Sequence, residues 1–130
     1  MIELIVLYKT PKDPEHFEKY YREVHGPMTG KLAGLKSYKY GPVRRLDGGP
    51  GEFFWYWSGY FDSAQAALDA LASPEGQAGN ADVPNYYHDV PLFMFFEVGD
   101  MSSTDARLEV ETVGLKRSGP WQLRIQLLSW

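Results

Sequence analysis

The nine residues Phe53 to Phe61 carry large apolar side chains in both alternating registers, with Phe53, Trp55, Trp57 and Phe61 on one and Phe54, Tyr56 and Tyr60 on the other. A period of two is the geometry of a strand, and a strand that is apolar on both sides must be covered on both sides. Ile2 to Tyr8 has the same character, with Ile2, Leu4 and Val6 set against Ile5 and Leu7, and so does Leu92 to Val98. A further run, Gly34 to Val43, alternates Leu35, Ser37 and Lys39 with Lys36, Tyr38 and Tyr40. The turn-rich Asp47-Gly48-Gly49-Pro50-Gly51 connects it to Phe53, so these two strands are expected to pair as a hairpin.

Helical signals lie between the strands. Asp13-Pro14 reads as an N-cap followed by proline at the first helical position, where a missing N–H costs nothing. Phe17, Tyr20, Tyr21 and Val24 then fall at i, i+3, i+4 and i+7, a single apolar stripe that His25 continues and that Gly26-Pro27 is expected to end. Asp62-Ser63 caps a second helix with a stripe of Ala64, Ala67, Leu68 and Leu71. Ser73-Pro74-Glu75 starts a shorter helical piece, which Gly79 to Pro84 is expected to break into loop.

The order β-α-β-β-α-β over residues 1–100 predicts a ferredoxin-like α+β domain. Its helices can cover only one face of the sheet. The other face would leave a broad aromatic surface to water, and the simplest cover is a second copy of the same sheet, because homodimers pair like patches about a two-fold axis. The chain is therefore expected to form a homodimer with sheets face to face. Residues 101–130 read as a separate extension: Leu108 to Val113 and Trp121 to Leu127 alternate around a Gly114 to Pro120 turn, which predicts an additional C-terminal β-hairpin.

Composition removes several function classes. A formal net charge of -4 without a Lys or Arg run gives no footprint for nucleic acid. Cysteine is absent, which rules out thiolate nucleophiles and Cys-ligated zinc and fits a cytoplasmic location. No apolar run approaches the roughly 20 residues of a membrane span, and the acidic start Met1-Ile2-Glu3-Leu4-Ile5 predicts no signal peptide. The three histidines have no metal-ligand spacing, the glycines at 48, 49 and 51 precede a strand and so cradle no phosphate, and no Gly-x-Ser-x-Gly elbow occurs. No metal and no cofactor are expected.

His25 is the leading candidate for chemistry, since imidazole titrates close to working pH and can take a proton from a substrate carbon or phenol. At a helix end it could instead cap a free carbonyl. His88, among Tyr86, Tyr87 and Asp89, is a second acid or base candidate, with a solvated loop residue as the plainer alternative. His16 falls off the apolar stripe and reads as surface. Tyrosines would partner His25, because a phenol can donate to a developing oxyanion while its ring lines an apolar pocket. Tyr38 is assigned that role, and Tyr8, Tyr21, Tyr60 and Tyr86, with Trp55 and Trp57, are assigned to binding a flat apolar substrate. Core packing is the competing explanation for each. His25 has no ionisable neighbour in sequence, so it is expected to work with tyrosines and buried water, outside any charged triad.

With the elements placed, Tyr21-x-x-x-His25-Gly26-Pro27-Met28, Leu32-Ala33-Gly34-Leu35, Tyr60-Phe61-Asp62-Ser63 and Ala72-Ser73-Pro74-Glu75 followed by Asp82 are similar to motifs of the EthD-like branch of the dimeric α+β barrel superfamily. The resemblance covers residues 1 to about 100. It implies a homodimer with a pocket between sheet and helices, and it carries over residue by residue His25, as catalytic, and Asp82, which is assigned to substrate binding. Relatives in that superfamily include cofactor-free monooxygenases, polyketide cyclases and decarboxylases, a muconolactone isomerase, haem-binding degraders, and EthD itself, an accessory of an ether-degrading oxygenase system. The expectation is a cofactor-free enzyme acting on a small aromatic, lactone or polyketide-like molecule by His/Tyr proton transfer. A ligand-binding accessory protein, or haem binding through His25 or His88, is the alternative.

Overall fold

A computed structural model of the chain describes residues 1–99, and the hairpin expected within 101–130 lies outside the described residues. Four antiparallel strands form one sheet: β1 (Ile2–Lys9), β2 (Ser37–Pro42), β3 (Phe53–Phe61) and β4 (Leu92–Glu97), in the order β2-β3-β1-β4. This is the expected ferredoxin-like α+β arrangement, with β1 and β3, two of the three strands that are apolar in both registers, at its centre. Register assigns the faces. Leu4, Val6 and Tyr8 stand opposite Gly59, Trp57 and Trp55 on β3, and Leu4 and Val6 stand opposite Phe95 and Phe93 on β4. That face carries the helices and the core.

The first helix departs from expectation. It starts as predicted, with α1 (Pro14–Tyr20) capped by Asp13, whose side chain accepts from the His16 backbone N–H. It does not stop at Gly26-Pro27. A π-helical turn over Tyr21–His25 leads directly into α2 (Gly26–Thr29). Pro27 has no N–H to offer the Glu23 carbonyl, and its ring would crowd that carbonyl in a regular α-turn. The chain widens there, and the Gly26 N–H bonds the Tyr21 carbonyl, five residues back. The wider turn changes which residues face the sheet: Phe17, Tyr21, His25 and Gly26 are buried, whereas Val24, expected on the stripe, is 39% exposed. A β-carbon on Gly26 would run into the Tyr40 ring, so this position needs glycine for close approach.

After β3 in the chain, α3 (Ala64–Ala72) is capped by Ser63 and packs through Ala67 and Ala70. Leu68, expected on that stripe, points outward because the buried face runs through 67 and 70. Ser73 then caps α4 (Pro74–Asp82) by accepting from the Gly76 N–H. This helix runs through Gly79, where a loop was expected. The Ser73 cap and Pro74 at the first position start it, and the Val83–Asn85 3-10 turn finishes it. Its last residue is Asp82.

The opposite face of the sheet carries no helix among the described residues. Ile5, Leu7, Tyr56, Tyr60 and Met94 on it are half-buried, and Leu92 and Phe96 are 47% and 49% exposed. Near its middle the Ser58 hydroxyl donates to Glu3 Oε2 at 2.6 Å.

Candidate active site

A cavity of about 580 Å³ lies between the helix face of the sheet and the helices. Its apolar lining includes Leu4, Val6, Met28, Leu32, Trp57 and Phe93, and its size falls within the ~300–1,000 Å³ common for small-ligand pockets. Tyr8, Tyr21 and His25 reach it from β1 and the π-turn, and Gln77 and Asn80 of α4 add polar groups at its edge.

His25 is 5% exposed and sits inside the continuous helix, not at its end, so the partial charge of a helix terminus does not act on it. Its Nδ1 donates to Asp82 Oδ2 at 3.0 Å. A carboxylate can only accept, so the proton on that bond belongs to Nδ1. Nε2 makes no hydrogen bond among the described residues, and it is the polar atom that His25 offers to the cavity. The expectation that His25 works outside any charged pairing is therefore corrected. The two residues are remote in sequence, and the helices carrying them, the π-turn and α4, close over the same cavity.

Asp82 is itself held on three sides. It accepts from Tyr20 Oη at 2.6 Å, from Asn85 Nδ2 at 2.9 Å and from His25 Nδ1. Burial raises the Asp82 pKa, but these donors outweigh it and bring the carboxyl below its ordinary value, so Asp82 is an anion. Burial pulls the His25 pKa down, the Asp82 carboxylate partly opposes this, and the net direction is down. His25 is thus neutral at pH 7, with a hydrogen on Nδ1 and a lone pair on Nε2. His16 braces the arrangement: exposed, as expected, it donates from Nε2 to the Asn85 carbonyl at 2.9 Å.

Above the His25 ring lies a cluster of phenols. Tyr86 and Tyr21 pack on it at centroid separations of 4.7 and 5.0 Å. The hydroxyls of Tyr8 and Tyr86 share a hydrogen bond of 2.8 Å, and Tyr87 Oη accepts from the Lys9 N–H at 3.1 Å. Burial pushes the Tyr8 pKa up to about 12 and raises Tyr21 and Tyr86 as well, so all three remain protonated donors.

The structure brings together His25, Asp82, Tyr8, Tyr21, Tyr86 and Trp57 from the residues singled out in the sequence. Others stand apart. Trp55 is fully buried in the core beneath Phe17 and Tyr21, under the Arg22 guanidinium at 5.0 Å. Tyr38 stacks on the outer side of Trp57 at 6.2 Å and is 39% exposed. Tyr60 belongs to the opposite face, as the register partner of Glu3, and His88 is exposed beside Tyr87. Tyr20 and Asn85, which hold Asp82, were not singled out, because nothing in sequence ties either to a residue that acts. Among the described residues no group of three or more His, Asp or Glu gathers as for a metal ion. No described helix is long and apolar enough to cross a membrane.

The fold and site define a ferredoxin-like α+β domain enclosing an apolar cavity with a buried His–Asp pair. The model of the EthD domain matches residues 9–89, and the chain belongs to that family. An uncharacterised 11.0 kDa protein of Rhodococcus erythropolis, from the thcB-thcC intergenic region, is 35% identical over 86 residues, which are 66% of this chain and 84% of that protein. A crystal structure of an EthD family protein from Bacillus halodurans C-125 is 27% identical, with a TM-score of 0.69 over 76% of this chain and 99% of that one. SnoaB of Streptomyces nogalater, described as a cofactor-independent oxygenase, shares the fold at 12% identity, with a TM-score of 0.56 over 78% of this chain and 95% of its own. So does a protein from Thermobifida fusca YX described as dimeric and ferredoxin-like, at 17% identity and a TM-score of 0.58 over 75% of this chain and 90% of that one.

Proposed function

We propose that this protein is an enzyme acting on a small apolar molecule, aromatic, lactone or polyketide-like, with His25 as general base and Asp82 as the residue that orients it. The observation that carries this reading is the Nδ1–H of His25 bonded to Asp82 at 3.0 Å while Nε2 is left for the cavity. A neutral imidazole held in that tautomer needs no reorganisation to accept a proton, and the imidazolium that forms is balanced by the adjacent carboxylate. The apolar lining keeps water from competing for the proton. Isomerisation, cyclisation and decarboxylation all use such a step. Oxygenation, in which molecular oxygen attacks the carbanion formed, is read alongside them because the fold is shared with SnoaB.

The test is incubation of purified protein with a panel of small aromatic ketones, phenols and lactones, with products followed by mass spectrometry. Turnover that falls about 10²- to 10⁴-fold in His25→Ala supports the reading. Full turnover in that variant overturns it, and tight binding across the panel with no product assigns the cavity to carriage instead.

The working unit in this reading is a homodimer. The helix-free face, with Leu92 and Phe96 about half exposed and Ile5, Leu7, Tyr56 and Met94 beside them, is an apolar patch of the kind that marks an interface, and a second copy would bury it with its own like patch. Light scattering at micromolar concentration reads this directly, and a monomeric mass would refute it.

A further inference from the structure

Resting on the proposed general base, we infer that the cavity takes an enolisable carbonyl compound, and that Tyr8 and Tyr21 donate hydrogen bonds to its carbonyl oxygen while His25 removes a proton from the adjacent carbon.

Tyr8 is 2% exposed, and its hydroxyl shares one hydrogen bond with that of Tyr86; the two oxygens hold two protons between them and use one. Tyr21, 1% exposed, packs its ring edge-on against that of Tyr8, and its hydroxyl makes no hydrogen bond among the described residues. One O–H of the Tyr8–Tyr86 pair is therefore left over, and Tyr21 has its own. Among the described residues no acceptor takes either of them. Neither oxygen is a sealed-off orphan, and Tyr8 and Tyr21 both line the cavity, so these O–H groups are open to a ligand oxygen there.

The same cavity has the opposite surplus at His25, where Nε2 is an acceptor without a donor. The rings connect the two: His25 to Tyr21 at 5.0 Å, and Tyr21 to Tyr8 at 5.6 Å. A ligand that satisfies both must offer a removable proton at one end and an oxygen that gathers negative charge at the other. A carbonyl with a hydrogen on its neighbouring carbon does this. The C–H bond breaks and its proton passes to Nε2. The electron pair becomes the C=C bond of the enolate, and the carbonyl π pair moves onto oxygen, where the phenols meet it. Returning the proton restores the ketone, so neither oxidant nor reductant is required. Phenols kept protonated by burial suit this task, since donors aimed at developing charge act most strongly where water is excluded.

The probe is 2-tetralone, an aromatic ketone with an enolisable carbon next to its carbonyl. Its exchange of that hydrogen for deuterium is followed by proton NMR in heavy water. The protein is expected to exchange it faster than an equal concentration of imidazole, and Tyr8→Phe or Tyr21→Phe to slow it about tenfold or more. Near-UV circular dichroism checks that each variant is folded. If both phenylalanine variants exchange at the wild-type rate while His25→Gln does not, the carbonyl contact is wrong and the general base stands. If His25→Gln exchanges at the wild-type rate, the general base falls as well. Exchange no faster than imidazole overturns the assignment to enolisable carbonyls. A measurement free of variants guards against misfolding: 2-naphthol, which matches the enol, should bind at least tenfold tighter than naphthalene, and equal affinity overturns the inference.

Discussion

Nδ1 of His25 donates to Oδ2 of Asp82 at 3.0 Å, joining residues 57 apart in sequence, with the two side chains 6% and 11% exposed. The bond fixes the tautomer, and the tautomer fixes what the cavity sees. Asp82 is in turn fixed by Tyr20 and Asn85, so the donor direction runs from the surrounding residues to the carboxylate.

Asp82→Asn should shift the acid limb of the pH–rate profile to lower pH. The carboxylate is what raises the His25 pKa against the stronger downward pull of burial, so removing its charge leaves burial unopposed. The maximal rate should fall with it, because an amide can hold the ring in either tautomer. Rate against pH for the two proteins checks this, and an unchanged acid limb would show that Asp82 does not act on His25.

Folding stability should decline on acidification in two stages. His25 has a folded pKa below its ordinary 6.5, so the unfolded chain binds more protons in the window just under that value, and stability is lost as pH falls through it. Asp82 has a folded pKa below its ordinary 3.8, so its contribution is present above that value and is lost as pH falls further, through the folded pKa. Urea unfolding as a function of pH reads both stages. The first should be absent from His25→Gln.

Two glycines should respond in opposite senses to alanine. Gly26→Ala drives a methyl group into the Tyr40 ring at the π-turn and should cost about 1–3 kcal/mol. Gly79→Ala meets no atom within 4 Å and replaces a glycine inside α4, which should stabilise by about 0.5–1 kcal/mol. Thermal unfolding of the two variants measures the contrast.

Strands were legible because their signal is local: the double-register runs of β1, β3 and β4 sit where periodicity and turn residues predict. The helix over Gly26-Pro27 was not, because a π-turn trades one hydrogen-bond register for another, and no side-chain pattern marks that exchange. The same shift moved Val24 outward and kept His25 in the buried row. Asp82 became visible only through resemblance to the EthD family, since a polar residue after Gly79 reads locally as loop. Aromatic content pointed to the cavity without resolving it. Trp57 lines the space, and Trp55, two residues away on the same face, is core, because its place opposite Tyr8 lies under the first helix.

General-base action by His25 depends on its protonation, and nitrogen NMR of the selectively labelled residue reads this without a substrate. At pH 7 the imidazole should be neutral, with its hydrogen on Nδ1 and a bare Nε2, and Asp82→Ala should lose that preference. A hydrogen on Nε2, or an imidazolium persisting through pH 7, would contradict the assignment of His25 as a ready general base.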